Sequence, residues 1–231
     1  MRAAASLHVP HALHVSWPGG LRAYWAVTTG VAVLAVWMGV FYAPVDTSMG
    51  LVQKLVYLHI PAAVGALLAA AAAFSANVAY IWTRARVWDA VAAEGARMTV
   101  LCGLIVLVTG MVWGNSYWGV WWTWSPKLTF TLILCVLYGA WLLLHGFISP
   151  FTRRAMVCAV YGAVAFLDVP LVYLSVRLLP DVHPTSLPLT GEMRATLWVF
   201  FVLAALVCAG SIGAPLQRRA RRRAELGGAH V

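Results

Sequence analysis

Residues 113–127 read WGNSYWGVWWTWSPK and hold five of the twelve tryptophans in the chain. Indole rings are large, rigid and amphipathic, so a cluster of them in a short connection indicates either a membrane-interface anchor or a platform for a flat ligand. Gly114 and Gly119 favour the platform, because a residue without a side chain lets a ligand approach closely. An aromatic belt, however, is the commoner use of tryptophan at an interface.

The spacing of three of these tryptophans supports the platform further. In helical phase Trp118, Trp121 and Trp122 share a face, so a short interfacial helix would present them as a nearly continuous indole surface. The rest of the sequence has to decide between a belt and a ligand site.

The composition places the chain in a membrane. Of its 231 residues 62% are hydrophobic and 10% charged, and the mean hydropathy is +0.83. A soluble domain of this length needs more polar surface, so we predict an all-α integral membrane protein. The four cysteines lie in apolar runs without metal-ligand spacing and are interpreted as small core residues. The net charge of +9 is interpreted as a topology signal and not as a nucleic-acid surface.

Six apolar runs are long enough to predict transmembrane helices. We expect helices at about 24–43, 55–82, 98–112, 128–148, 155–176 and 195–212. The predicted organisation is a cytoplasmic N-terminal tail (1–23), a six-helix membrane domain (24–212) with a Trp-rich loop (113–127), and a basic cytoplasmic C-terminal tail (213–231). The most charged internal connection, 83–97, is expected to be a cytoplasmic loop.

The basic residues test this topology. With both termini in the cytoplasm, twelve of the 16 Lys and Arg residues fall inside and four outside, as the positive-inside rule requires. His59, at the start of the second helix, and His183, after the fifth, then lie on the same outer face as the Trp-rich loop. Three separate parts of the chain are thus expected to meet there.

These residues favour a haem site. A planar macrocycle with a central iron needs apolar faces, one or two axial imidazoles, and cations for its propionates. The indoles and the two histidines supply the first two. The cation candidates are Lys54, Lys127, Arg177 and Arg194.

Other polar residues are given ordinary structural interpretations. His8, His11 and His14 fall in a terminal tail interrupted by Pro10, which makes a stable metal site improbable there. His145 is interpreted as an interfacial histidine and His230 as part of the tail. Asp168 precedes Pro170 inside the fifth helix, where it either satisfies the backbone of a kink or has a proton or ligand role.

At these residues the chain resembles the haem-handling protein C of the bacterial cytochrome c maturation system, the heme exporter protein C family. The likeness covers about 54–211. Its most specific parts are Lys54-x-x-Tyr57-x-His59-x-Pro61-Ala62-Ala63, Thr109-Gly110-x-x-Trp113-Gly114, Trp118-Gly119-x-Trp121-Trp122-x-Trp124, Leu128-Thr129, Pro170, Ser175-Val176 and His183.

The resemblance implies that Trp113, Gly114, Trp118, Gly119, Trp121, Trp122, Trp124 and Lys127 form a periplasmic surface that binds haem b, with His59 and His183 as axial ligands of the iron. It implies that the haem is offered to a periplasmic haem chaperone, in an inner-membrane complex with an ATP-binding-cassette transporter and a small single-helix subunit. The protein would then be a transfer protein and not an enzyme.

Two positions depart from the family pattern. Ser125 stands where the family signature has Asp after Trp124, and Leu178-Leu179 stands where a tryptophan pair is usual before His183. This chain therefore lacks the acid that could act in chaperone docking or haem orientation. Part of the haem wall is expected to differ as well.

Three alternatives remain open at the level of sequence. A haem-attachment synthetase for cytochrome c would form thioether product without a chaperone, although its family typically continues through a Glu-Asn pair where this chain has Leu128-Thr129. A b-type electron-transfer subunit would carry paired histidines deep within helices. A structural membrane subunit with an aromatic belt would purify without a Soret band.

Overall fold

The computed structural model describes residues 20–178, 183 and 188–228, with the backbone alone for 176–178 and 218–228. Its helices are α1 (Gly20–Trp37), α2 (Val56–Thr83), α3 (Arg86–Trp118), α4 (Pro126–Phe147), α5 (Phe151–Ala165), α6 (Asp168–Leu178) and α7 (Gly191–Gly228). A π-helical turn, Met38–Tyr42, extends α1, and a 3-10 helix, Leu51–Leu55, leads into α2.

Six segments are long and apolar enough to cross a membrane. They are Gly20–Tyr42, Leu51–Thr83, Arg86–Trp118, Pro126–Phe147, Phe151–Ser175 and Gly191–Gln217. The prediction of an all-α integral membrane protein with six transmembrane helices is confirmed. The N-terminal histidines His8, His11 and His14, together with His230 and Leu179, lie outside the described residues.

The charged connection expected at 83–97 is wrong as a loop. Only Arg84 and Ala85 separate α2 from α3. Arg84 ends α2 in the left-handed conformation (φ 55°), and its N–H donates to the carbonyl of Tyr80 at 2.8 Å. The charges that suggested a loop lie on a helix, where Glu94 and Arg97 pair at i,i+3 with an N–O distance of 2.8 Å. The density of charged residues therefore did not indicate a loop, because most of these charges belong to α3.

A buried ion cluster joins three helices at this end of the bundle. The Asp89 side chain on α3 is 6% exposed, and its Oδ2 lies 3.2 Å from His145 Nε2 on α4 and 3.2 Å from a guanidinium nitrogen of Arg154 on α5. The His145 ring stacks on Trp141 with centroids 4.9 Å apart. His145, interpreted from the sequence as an interfacial histidine, contacts a buried carboxylate. The cluster fixes α3, α4 and α5 relative to one another.

Small residues let the central helices approach closely. Ala69 and Ala73 on α2 are fully buried, and a Cβ added at Gly95 on α3 would lie 2.9 Å from the Ala73 Cβ. Helices in a membrane associate through such close packing, because lipid provides little hydrophobic driving force between them. Cys102, Cys135 and Cys158 are buried and free, as expected for core residues.

The fifth apolar run is two helices. α5 ends at Ala165, and α6 begins at Asp168, two residues before Pro170. Proline removes a backbone donor, which accounts for an interruption here. The Phe166 carbonyl, expected to be satisfied through Asp168, accepts instead from the Val169 N–H at 3.0 Å. Asp168 is 5% exposed, and its Oδ2 has no hydrogen-bond partner among the described residues.

α7 is longer than the sixth predicted helix and continues as backbone helix through the basic segment to Gly228. α1 packs along it at the edge of the bundle, where the Tyr24 hydroxyl donates to the Leu206 carbonyl at 2.5 Å. The candidate functional site is formed mainly by α2, α3, α4 and α6.

Candidate functional site

A cavity of about 660 Å³ opens between α2, α3, α4 and α6, at the end of the bundle opposite the Asp89 cluster. Cofactor sites usually have volumes between about 300 and 1,000 Å³. Its lining is mostly apolar and includes seven residues singled out in the sequence: His59, Trp113, Gly114, Trp118, Trp121, Lys127 and His183. The structure thus brings the two histidines and part of the Trp-rich segment together.

The histidines face each other across this cavity. His59 is the fourth residue of α2, and its ring centroid lies 6.3 Å from that of His183, with 29° between the ring planes. A metal–imidazole bond is about 2 Å long, so two imidazoles on opposite sides of one ion place their bound nitrogens about 4 Å apart. The centroid of each imidazole ring lies about 1 Å farther from the metal than its bound nitrogen, so the two centroids are roughly 6 Å apart. The observed spacing fits two imidazoles that share one metal ion.

Two of the five tryptophans belong to the last turns of α3. Trp113 stacks on Tyr117 with centroids 5.8 Å apart and meets Trp118 edge to face at 5.5 Å. Gly114, on the same turns, is buried beside the Trp118 ring, which an added Cβ would meet at an ordinary contact distance of 3.5 Å. Trp113 and Trp118 form an aromatic wall of the cavity.

The predicted helical face of Trp118, Trp121 and Trp122 does not form. Gly119 ends α3 with φ 73°, a conformation that suits glycine, and 120–125 has no helical structure. Trp121 still lines the cavity and is 60% exposed.

Trp122 and Trp124 are absent from the described lining of the cavity and pair with each other edge to face, with centroids 5.6 Å apart. Trp124 is 76% exposed. Trp113, Trp118 and Trp121 therefore line the cavity, whereas Trp124 is exposed outside that lining.

The four cation candidates have different positions. Lys127, in the first turn of α4, lines the cavity. Lys54 donates to the Val40 carbonyl at 2.8 Å and does not line the described cavity. Arg194 is exposed on α7, and the side chain of Arg177 lies outside the described part of the chain. Lys127 is the cation that the structure places beside the histidines.

Sequence reasoning missed several residues of this site. Thr109 lines the cavity, and its Oγ1 lies 2.8 Å from Nδ1 of His59. Val172 and Tyr173 of α6 complete the apolar wall. The motif Thr109-Gly110 was visible in the sequence, but only the fold shows that α3 places it against α2.

These features define a class of protein: a multi-pass helical membrane protein with an indole-lined cavity and a pair of facing imidazoles. The chain belongs to the heme exporter protein C family, because the model of that family matches residues 7–224. The family resemblance read from the motifs is confirmed. Membership makes the chain a haem-handling component of cytochrome c maturation and a multi-pass inner-membrane protein.

Individual relatives agree with this family. Heme exporter protein C of Escherichia coli (strain K12) is 34% identical over 168 residues, which cover 70% of this chain and 67% of the relative. Heme exporter protein C of Rhodobacter capsulatus is 36% identical over 117 residues, 49% of this chain and 48% of the relative. A putative cytochrome c biosynthesis ccmC-like mitochondrial protein of Marchantia polymorpha is 28% identical over 156 residues, 68% of this chain and 66% of the relative.

Proposed function

We propose that the chain binds haem b at the periplasmic face of the inner membrane and passes it to a periplasmic haem chaperone. His59 and His183 are the axial ligands in this proposal. The observation that carries it is the facing pair of imidazoles, 6.3 Å apart, in an indole-lined cavity of about 660 Å³. Two imidazoles at this spacing, in a mostly apolar cavity lined by indoles, suit a planar iron macrocycle better than a small hydrated ion.

Each part of the site has a distinct task. His59 and His183 would hold the iron of a bound haem. Trp113, Trp118 and Trp121 would cover its apolar surface. Lys127 provides a positive charge for a propionate at the outer rim. The haem is held by coordination and packing without a covalent bond, so it can leave when another protein offers competing ligands. Transfer and not catalysis is therefore the activity that the site supports.

The same proposal places the Trp-rich segment in the periplasm and both termini in the cytoplasm. The distribution of basic residues supports this orientation, since the end carrying Arg84, Arg86 and Arg154 has the excess of positive charge. Trp124 is exposed and lies outside the described cavity lining, so it is available to a chaperone that receives the haem. Transporter subunits with an ATP-binding cassette and a small single-helix subunit are the proposed membrane partners.

A b-type electron-transfer role is less well supported by the position of the site. Such a subunit holds its haem between helices at depth in the membrane. Here His59 lies in the first turn of α2, and His183 follows the end of α6. A haem at this rim is accessible for transfer.

Titration of the purified protein with haem tests the proposal. We expect one haem per chain and the absorption spectrum of a six-coordinate, low-spin iron, because both axial positions are supplied by imidazoles. A structural subunit with an aromatic belt would give no saturable Soret change. That result would contradict the proposed function.

Ser125 provides a test of the transfer step. It is the N-cap residue of α4, and its buried Oγ has no partner among the described residues. Ser125→Asp restores the acid of the family signature at a position where a carboxylate is favourable. We expect unchanged haem binding and a higher yield of haem-loaded chaperone.

Ser125→Asn is the matched control, because asparagine also caps a helix but carries no charge. A gain seen with aspartate alone would assign the effect to the charge. Equal yields from all three proteins would show that the acid has no role in transfer here.

A further inference from the structure

Besides His183, the His59 ring contacts one turn of α3, which includes the Val106 carbonyl as a hydrogen-bond partner. Its Nδ1 lies 2.8 Å from the Thr109 Oγ1. That hydroxyl oxygen also lies 2.6 Å from the carbonyl oxygen of Ile105 and 3.3 Å from that of Val106, one turn earlier in the same helix. Three potential acceptors therefore surround a hydroxyl group that has one hydrogen.

The shortest of these contacts decides where that hydrogen lies. A carbonyl oxygen can only accept, so two oxygens 2.6 Å apart need the hydroxyl hydrogen between them. Thr109 must donate to Ile105, and its lone pairs are then directed to the imidazole. Nδ1 of His59 must carry a hydrogen and donate to Thr109. In the neutral ring, the lone pair then belongs to Nε2.

We infer that Thr109 is a positioning residue for haem ligation: it fixes His59 as the Nδ1–H tautomer and leaves Nε2 as the iron ligand. This inference rests on the proposed function of His59. Metal-bound histidines usually donate their second N–H to an oxygen, which orients the ring and strengthens the ligand nitrogen. Here the oxygen that accepts from the histidine is the Thr109 hydroxyl, which is itself oriented by its hydrogen bond to the Ile105 carbonyl.

Gly110, the next residue of α3, leaves space for the His59 ring. An added Cβ at this position would lie 3.2 Å from Cε1 of His59 and 3.9 Å from Nδ1. The first distance is tighter than most carbon contacts, so a larger residue at this position would push the imidazole by a few tenths of an ångström. Thr109 and Gly110 together set both the tautomer and the position of the ring.

Two substitutions at Thr109 separate the hydroxyl from the shape of the side chain. Thr109→Val removes the hydroxyl and keeps the branched side chain, while Thr109→Ser keeps the hydroxyl. Thr99→Val is the matched control on α3, because Thr99 is fully buried and donates in the same way to the Gly95 carbonyl at 2.9 Å. It lies outside the described lining of the cavity.

The first measurement needs no haem. In ¹⁵N spectra of the unloaded protein labelled at histidine, the His59 signals are identified by their loss in His59→Asn. We expect Nδ1 to be protonated in the wild type, in Thr109→Ser and in Thr99→Val. In Thr109→Val we expect a mixture of the two tautomers or the Nε2–H form.

The second measurement is the rate of haem loss to excess apomyoglobin. Loss of an outer hydrogen-bond partner usually weakens metal binding about 10- to 100-fold, so Thr109→Val should release haem faster by that factor. Thr109→Ser and Thr99→Val should stay close to the wild type. An unchanged tautomer in Thr109→Val, or equal acceleration in Thr99→Val, would overturn the inference.

The outcome is distinguishable from failure of the proposed function. If His59→Ala abolishes six-coordinate binding while Thr109→Val has no effect, His59 is a ligand and Thr109 does not position it. If His59→Ala leaves the spectrum unchanged, the proposed ligand itself is wrong.

Discussion

His59→Ala or His183→Ala should abolish the six-coordinate, low-spin spectrum of the haem-loaded protein and block haem delivery to the chaperone. Each change removes one of two imidazoles whose centroids lie 6.3 Å apart in the cavity. The iron would then be five-coordinate or bound to water, and retention would fall. Absorption spectroscopy during haem titration and the yield of haem-loaded chaperone measure the two effects.

His145→Ala is the control for a general loss of histidine. His145 lies at the other end of the bundle, beside Asp89, and is absent from the described cavity lining. The same substitution at His8, His11, His14 or His230 should likewise leave the spectrum unaltered. An unchanged low-spin spectrum in the double variant His59→Ala, His183→Ala would rule out the bis-histidine site, and the Trp-rich segment would have to be reconsidered as a membrane anchor.

The helix count could be predicted from the sequence because hydrophobic length is a strong signal in membrane proteins. The meeting of His59, His183 and the tryptophans followed from the same count, since an odd or even number of crossings decides which connections share a face. The described cavity contains both histidines and three of the tryptophans. The orientation of that face in the membrane stays a prediction.

The details that the sequence did not predict depend on packing between helices. Charged residues at 86–97 were expected in a loop, yet Asp89 is buried by partners that are 56 and 65 positions away in the chain. A hydropathy scale scores an aspartate as solvated, because it takes no account of partners that are distant in the sequence and close only in the fold. The predicted shared face of Trp118, Trp121 and Trp122 failed for a similar reason. Gly119 ends α3, so the residues that follow it do not have helical spacing.

A large effect on stability is expected from Gly162→Ala. Gly162 lies on α5 where Asn77 of α2 and Trp141 of α4 meet, and both of these side chains are almost fully buried. An added Cβ would overlap the Asn77 amide nitrogen and lie 2.9 Å from Nε1 of Trp141. That indole donates to the Cys158 carbonyl at 2.7 Å, so it cannot move away without losing its hydrogen bond. Overpacking of this kind costs about 1–3 kcal/mol of unfolding free energy.

Gly139→Ala is the matched control, because Gly139 lies inside α4 and an added Cβ meets nothing within 4 Å. Alanine is favoured over glycine in a helix by about 1 kcal/mol, so this variant should be as stable as the wild type or more stable. The thermal unfolding midpoint in detergent measures both. Only Gly162→Ala is therefore expected to lower the midpoint. A Gly162→Ala protein that unfolds at or above the wild-type midpoint would show that α5 can move away from Asn77 and Trp141 without loss.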